Sequence, residues 1–129
     1  MSEQNKEIVR RFYEEVENQG RLELIDELVD PNFRDVYNLG FPVPVRGVDG
    51  VRQLVTTLRS RGDFHLNIEE LIAEGDKVVA RLSTNRTTKT PAGDEVKLQL
   101  VEIARIANGK LLERWVFIDF GLRPQTAAS

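Results

Sequence analysis

The fold of this chain is decided by residues 96–119, which read VKLQLVEIARIANGKLLERWVFID. Two apolar runs flank the dipeptide Asn108-Gly109, which between alternating strands is a strong short-range signal for a β-hairpin. In the first run Glu102 shares one face with four apolar residues: Leu98, Leu100, Ala104 and Ile106. A carboxylate on a face that otherwise packs into the core must be paired or must change its pKa. The hairpin therefore predicts a sheet and one candidate functional residue.

The length of the turn decides which residue faces Glu102 across the hairpin. A two-residue loop pairs Glu102 with Trp115 and leaves a second carboxylate, Glu113, on the same apolar face. A three-residue loop, with Gly109 left-handed in a bulge, pairs Glu102 with Arg114 instead. We adopt the three-residue loop because it gives the carboxylate a cation across the strands. It also completes that face with apolar side chains: Leu112, Val116 and Ile118.

Length and composition indicate one globular domain, residues 1–129, with a tail that is frayed beyond residue 124. Apolar residues make up 40% of the chain and charged residues 30%, and no apolar run is long enough to span a membrane. The lack of cysteine excludes disulfides and thiolate metal sites, and the single histidine, His65, excludes sites that need two imidazoles. A net charge of −3, with acids and bases interspersed, argues against nucleic acid as a partner. We expect no metal and no cofactor, and a cytoplasmic location because the polar N-terminus is not a secretory signal.

Helical periodicity precedes strand periodicity along the chain. Apolar spacing predicts helices over 6–19, 22–29 and 47–62, with a short edge strand over 33–37 between the second and third. From Phe64 onward the period changes to two, which predicts four long antiparallel strands. The resulting class is α+β: a cone-shaped fold of about three N-terminal helices packed on a strongly curved antiparallel sheet. A pocket is expected on the helix-facing side of the strands.

Several short segments match a known family in their order and spacing: Lys6–Val16, Asn18–Gly20, Leu28–Phe33, Gly47–Val51, Ala73–Arg81, Arg105–Lys110, Trp115 and Asp119. Together they resemble the SnoaL-like polyketide cyclases, which belong to the nuclear-transport-factor-two-like superfamily. That superfamily also includes ketosteroid isomerase and limonene-epoxide hydrolase. The resemblance covers almost the whole chain and implies helices over a cone-shaped sheet, a small-molecule ligand and a homodimer. Because the superfamily is catalytically diverse, the resemblance names no single reaction.

The resemblance transfers few catalytic residues to this chain. Counted from Gly109, the acid/base aspartate of the cyclases corresponds to Val116, and their assisting histidine corresponds to Glu102. Of the Asp-Arg-Asp set of the epoxide hydrolase, only the arginine has a counterpart, Arg81. Of the isomerase residues, only the protonated aspartate that donates to the developing oxyanion has a counterpart, again Glu102.

Glu102 is the leading catalytic candidate, either protonated to donate a hydrogen bond or ionised and held by an arginine. Alternatively, it forms a buried salt bridge with Arg114 that only fixes the strand register. Pairing with Arg114 predicts a lowered pKa for Glu102. Apolar alternation alone turns Arg81 outward, but the resemblance turns it inward, and we adopt the inward orientation. Arg81, Glu102 and Arg114 would then bind a carboxylate, an enolate or a phenolate, and Tyr37 would assist at the cavity mouth. The predicted substrate-binding residues are Asn38, Phe12, Phe41, Leu58, Leu100, Val116 and Ile118.

The outer face of the hairpin is also apolar, through Val101, Ile103, Trp115 and Phe117. Such a patch needs a cover, which predicts a homodimer through this face. The expected function is that of a cofactor-free isomerase, cyclase or hydrolase acting on an apolar, ring-containing carbonyl compound. The alternative is a non-catalytic small-molecule-binding or accessory protein on the same scaffold, because Val116 stands where the family has its acid/base.

Overall fold

The computed structural model describes residues 2–39, 41 and 43–119. Its helices are α1 (Ser2–Arg11), α2 (Ile25–Leu28) and α3 (Gly47–Ser60). Helix α1 continues as a π-helical segment (Phe12–Asn18), and a 3₁₀ turn (Leu22–Leu24) precedes α2. Its strands are β1 (Val29–Asn38), β2 (Leu66–Glu74), β3 (Lys77–Lys89), β4 (Glu95–Ala107) and β5 (Lys110–Asp119). The fold is therefore α+β with three N-terminal helical regions, as predicted. The tail predicted to fray beyond residue 124 lies outside the described residues.

The first helix packs an apolar side against the sheet. Val9, Phe12 and Val16 are buried at helical spacing. The helix begins at Ser2, earlier than predicted, and it ends where Gly20 adopts a φ of +75°. The Gly20 N–H donates to the Val16 carbonyl at 3.0 Å, which is the glycine-terminated helix end that the sequence predicts. None of the helices in the described part of the chain is long and apolar enough to cross a lipid bilayer.

The five strands form one mixed sheet in the order β1-β5-β4-β3-β2. Strands β2 to β5 pair antiparallel with their neighbours in the chain, as predicted, whereas β1 runs parallel to β5. The prediction of an entirely antiparallel sheet is therefore wrong at this edge. The edge strand predicted over 33–37 is also longer, because it extends over Val29–Asn38. The sequence could not predict the parallel pairing, because the alternation of side chains along a strand does not indicate the direction of its partner. Helix α3 and three other strands also separate β1 from β5 in the chain.

The turn between β4 and β5 has two residues, Asn108 and Gly109, and both have positive φ, 52° and 76°. The flanking residues Ala107 and Lys110 are cross-strand partners. This is the turn that Asn-Gly favours in a hairpin, because its twist matches that of the strands. The three-residue loop that we adopted from the sequence is therefore wrong.

A β-bulge just beyond the turn changes the register of the hairpin. Leu112 has no cross-strand partner in the described part of β4, so the pairing shifts by one residue there. Beyond the bulge Glu102 pairs with Val116, and Arg114 pairs with Ala104. The prediction that Glu102 and Arg114 are directly opposite each other across the hairpin is thus wrong. The bulge nevertheless returns both side chains to the same, helix-facing side of the sheet, where they lie diagonally across the strands.

Candidate active site

A cavity of about 560 Å³ lies between α3, the segment after β1 and the helix-facing side of the sheet. This volume is typical of small-molecule sites. Polar side chains enter the cavity mainly at two places: Glu17, Glu102 and Arg114 line its buried end, and Arg61 and Arg86 lie nearer to solvent. The rest of the wall is mostly apolar, through Leu39, Phe41, Leu54, Leu58, Phe64, Leu66, Leu98, Leu100, Val116 and Ile118. An apolar molecule with polar ends would match this lining.

The predicted substrate-binding residues fall mostly on this cavity. Those that line it are Asn38, Phe41, Leu58, Leu100, Val116 and Ile118. Phe12 does not line it. It is buried beneath the guanidinium of Arg114, whose Cζ atom lies 5.8 Å from the centre of the Phe12 ring. Phe12 therefore supports a polar residue of the site.

The structure brings together two of the predicted catalytic residues, Glu102 and Arg114, but it does not bring Arg81 to them. Arg81 lies on the opposite face of the sheet, where its Nε donates to Glu70 at 3.2 Å and half of its side chain is exposed. The inward orientation adopted from the family resemblance is therefore wrong. Alternation explains the outcome, because the apolar residues of β3 that share the inner face are fully buried: Val78, Ala80 and Leu82.

Tyr37 also lies outside the cavity. It is 41% exposed and stacks on Phe117 of the outer face, with 5.1 Å between the ring centres. An irregularity in the pairing of β1 with β5, between Asp35 and Tyr37, changes the face on which the following residues lie. As a result Asp35 and Asn38 point inward, and the expected role of Tyr37 at the cavity mouth is not supported by its position.

Five buried polar side chains meet at the closed end of the cavity: Tyr13, Glu17, Asp35, Glu102 and Arg114, here called the Arg114 cluster. Asp35 binds Arg114 through two hydrogen bonds, from Nε at 2.9 Å and from Nη2 at 3.0 Å. Arg114 Nη1 donates to Glu102 Oε1 at 3.2 Å, and the Tyr13 hydroxyl donates to the same oxygen at 2.7 Å. Glu17 Oε1 lies 3.9 Å from Arg114 Nη1. One guanidinium thus faces three carboxyl groups.

Glu17 receives the least compensation in the Arg114 cluster. Its Oε1 is the one buried side-chain polar atom without a hydrogen-bond partner among the described residues. Burial and repulsion from Glu102 together raise the pKa of Glu17 from 4.5 to about 8, and Arg114 opposes the change only in part. Glu17 is therefore mostly protonated at pH 7, and its carboxyl group can donate a proton into the cavity.

Burial also raises the pKa of Glu102, because desolvation outweighs the stabilising effects of Arg114 and of the Tyr13 hydroxyl. The prediction that pairing with Arg114 lowers this pKa is wrong for that reason. Desolvation alone would lower the pKa of Arg114, but Asp35 and Glu102 raise it well above its usual range, so the guanidinium stays charged. The described residues include no group of three or more histidine or carboxylate side chains arranged to hold a metal ion.

Sequence reasoning missed Glu17, Asp35 and the hydroxyl of Tyr13. Glu17 lies four residues after Tyr13, so both face the same side of the helix, but a glutamate among other charged helical residues is normally solvated. Asp35 lies two residues after the buried Phe33, and strand alternation from that residue would have placed it inward. Helical spacing and strand alternation thus indicate buried positions for Glu17 and Asp35, but carboxylates are usually exposed, and that expectation outweighs both patterns.

Comparison with known proteins agrees with this architecture. The family model for SnoaL-like polyketide cyclase matches residues 7–125. A candidate SnoaL-like polyketide cyclase from Jannaschia sp. CCS1 superposes with a TM-score of 0.74 at 22% identity, covering 95% of each chain. A candidate polyketide cyclase from Bacillus cereus has a TM-score of 0.71 and 30% identity over 90% of this chain and 74% of its own.

An epoxide hydrolase from Mycobacterium tuberculosis that resembles limonene-epoxide hydrolase shares the fold, with a TM-score of 0.70, 15% identity and coverage of 92% of this chain and 84% of its own. A search of curated proteins finds no match. The family match over nearly the full chain is the decisive comparison. The chain belongs to the SnoaL-like polyketide cyclase family and has the fold of the nuclear-transport-factor-two-like superfamily.

Proposed function

We propose that this protein is a cofactor-free small-molecule enzyme that moves a proton on an apolar, ring-containing carbonyl compound. The observation that carries the proposal is Glu17, a buried acid with a pKa of about 8 at the closed end of an apolar cavity. A neutral acid beside charged groups is what general acid–base catalysis at pH 7 requires. We also propose that the sheet is strongly curved and that the cavity between it and the helices is cone-shaped.

Glu17 and Glu102 divide the acid and base roles in this proposal. Glu17 donates a proton or a hydrogen bond to the carbonyl oxygen of the substrate. Glu102 removes a proton from the adjacent carbon through Oε2. This oxygen accepts no hydrogen bond from the described residues, because the Tyr13 hydroxyl and Arg114 Nη1 both donate to Oε1. A raised pKa makes Glu102 a stronger base than an ordinary carboxylate. Arg114, which Asp35 holds in place, stabilises the negative charge that develops on the substrate.

These roles suit isomerisation and cyclisation equally, because both begin with proton removal next to a carbonyl group. Hydrolysis would use the same base on a water molecule instead of on carbon. Arg81 and Tyr37 take no part in this scheme, because neither lines the cavity. Glu17 and Tyr13 replace them: Glu17 as the acid, and Tyr13 as the donor that orients Glu102.

Replacement of Glu102 by glutamine is expected to slow proton removal from ring-containing ketones by about 100-fold or more, because an amide is not a base. Proton removal can be followed without knowing the product. Hydrogens next to a carbonyl exchange with deuterium in D2O, and NMR records this exchange over a panel of cyclic and aryl ketones. Glu17→Gln is expected to slow the same exchange by about tenfold or more, since the amide donates a hydrogen bond but cannot transfer a proton.

Glu14→Gln is the matched control, because Glu14 lies on the same helical segment but is exposed. Its exchange rates should equal those of the wild type. If both Glu102→Gln and Glu17→Gln exchange as fast as the Glu14→Gln control, neither residue belongs to the mechanism.

The second candidate function is that of a non-catalytic small-molecule-binding protein. Val116 favours it, because this residue lines the cavity opposite Glu102 where the cyclases are expected to carry an aspartate. Ketones that bind the cavity without any deuterium exchange would support this function over the enzymatic one.

We also propose that two copies of the chain associate through the outer face of the sheet. Val101 pairs with Phe117 and Ile103 with Trp115, and Val101 and Phe117 are 38% and 45% exposed. Tyr37 extends this patch by stacking on Phe117. A contiguous apolar patch of this kind is typical of a subunit interface.

Phe117→Glu is expected to convert a dimer into a monomer, because it places a charge in the centre of this patch. Light scattering coupled to size-exclusion chromatography gives the molar mass directly. Val43→Glu is the control, since Val43 is similarly exposed but lies outside the sheet. A monomeric wild type would refute the proposed interface.

A further inference from the structure

Two arginines, Arg61 and Arg86, line the open part of the cavity, away from the buried Arg114 cluster. Arg61 directly follows α3 and is exposed, and Arg86 lies on β3 and is partly buried. Neither forms an ion pair with a described carboxylate. Arginines elsewhere on the sheet do, as Arg34 and Arg105 show by sharing Glu113. The cavity mouth therefore carries two positive charges that the described residues do not neutralise.

Arg86 is held in place by contacts that leave its charge available. Its Nη2 donates to the Leu58 carbonyl at 3.3 Å, and its guanidinium lies 5.4 Å from the centre of the Phe64 ring. These contacts use one N–H donor and one face of a group that has five donors. Arg61 is favoured at its position by the C-terminal end of α3. Local structure thus explains where both arginines lie, but it leaves most of their donors without an acceptor among the residues that the structure describes.

The two ends of the cavity differ in charge. At the buried end, the carboxyl groups of Glu17 and Glu102 disfavour an anionic group of a ligand. Asp35 already accepts hydrogen bonds from two of the Arg114 donors. At the open end, Arg61 and Arg86 favour an anion. Apolar side chains such as Leu58 and Leu100 separate the two ends. A ligand with one neutral and one anionic end would therefore bind in a single orientation.

We propose that Arg61 and Arg86 bind an oxyanion group of the substrate, a carboxylate or a phosphate, while the uncharged carbonyl end of the same molecule reaches Glu17. The substrate class is thereby narrowed to apolar ring compounds that carry one anionic group. The orientation rests on the proposed function, because the carbonyl end is assigned by the acid and base at the buried end. The anion site itself can be tested by binding alone.

The test uses three probes with the same apolar body: 2-naphthoate, 2-naphthyl phosphate and the neutral 2-naphthamide. Calorimetric titration of the wild-type protein is expected to give at least about tenfold tighter binding for one or both anions than for the amide, as for a charge-assisted hydrogen bond. Whichever anion binds more tightly identifies carboxylate or phosphate as the favoured group. This advantage should shrink as salt is added.

Arg61→Gln and Arg86→Gln are each expected to remove most of the anion advantage and to leave the affinity for 2-naphthamide unchanged. Arg86→Lys, which keeps the charge, should retain part of it, and this variant guards against a folding defect in Arg86→Gln. Arg81→Gln removes an arginine from the opposite face of the sheet and should bind all three probes like the wild type.

Equal affinity of the wild type for all three probes would overturn the anion site but leave the proton-transfer function intact. An anion advantage that persists in both glutamine variants would also overturn it. No binding of any probe at millimolar concentration would count against the cavity as a ligand site, and so against both proposals. An unchanged deuterium exchange in Glu17→Gln and Glu102→Gln would refute the proton-transfer function alone.

Discussion

Arg114→Met is expected to lower the free energy of unfolding by about 3–5 kcal/mol at pH 7, because it leaves buried carboxylates without their cation. Arg114 is 3% exposed and donates to both Asp35 and Glu102, while Glu17 lies 3.9 Å away. Methionine keeps a long unbranched side chain, so the loss reports mainly on charge and hydrogen bonds. Unfolding in urea gives the free energy, and thermal melting should shift downward by roughly 10–20 °C.

Arg105→Met is the matched control, because Arg105 lies on the neighbouring strand of the same hairpin. Its Nε donates to Glu113 at 2.8 Å, but its side chain is 31% exposed. Solvent screens such a pair, so the loss should stay below about 1 kcal/mol. The deficit of Arg114→Met should also diminish at pH 4, because burial raises the pKa of Glu102 and its protonation removes an unpaired charge. Equal losses in the two variants would show that burial of the Arg114 cluster has no special energetic role.

The order of elements could be predicted from the sequence because its signals are local. Apolar spacing in the first helix, Gly20 at its end and Asn108-Gly109 at the hairpin each act over a few residues. The bulge at Leu112 could not be predicted, because it depends on how two strands pair. It moved the partner of Glu102 to Val116 and yet kept Arg114 on the same face. The predicted contact between Glu102 and Arg114 is therefore present, but the strand register from which it was predicted is wrong.

The candidate site was only partly predictable, for two physical reasons. The family resemblance predicts that Arg81 points inward, whereas the alternation of side chains along its strand predicts that it points outward. The structure agrees with the alternation. Glu17 and Asp35 were overlooked because carboxylates are rarely buried. Only the tertiary fold brings three of them around one arginine. Burial of charge is decided by the whole cluster, so it cannot be read from any single segment.

Glu17→Gln is expected to stabilise the protein at alkaline pH while it impairs proton transfer. The pKa of Glu17 is raised from 4.5 to about 8, so between these pH values the folded protein holds a proton that the unfolded chain has lost. The stability associated with this proton is fully present below pH 4.5 and is lost as the pH rises through about 8. Glutamine cannot ionise, so the variant escapes this loss. Its advantage over the wild type should be small at pH 5 and reach about 2–5 kcal/mol at pH 8.5, as a pKa shift of this size implies.

Urea unfolding at pH 5, 7 and 8.5 measures this advantage, with the exposed Glu14→Gln as the control that should follow the wild type at every pH. The groups that face Glu17 are the other members of the Arg114 cluster, Tyr13, Asp35, Glu102 and Arg114, and all of them are unchanged in the variant. A difference that does not grow with pH would show that Glu17 is ionised in the fold, and it would remove the acid from the proposed mechanism. A variant that is more stable at pH 8.5 but slower in deuterium exchange would show that the chain keeps a destabilising carboxyl group for its chemistry, since function is the usual reason for retaining such a group.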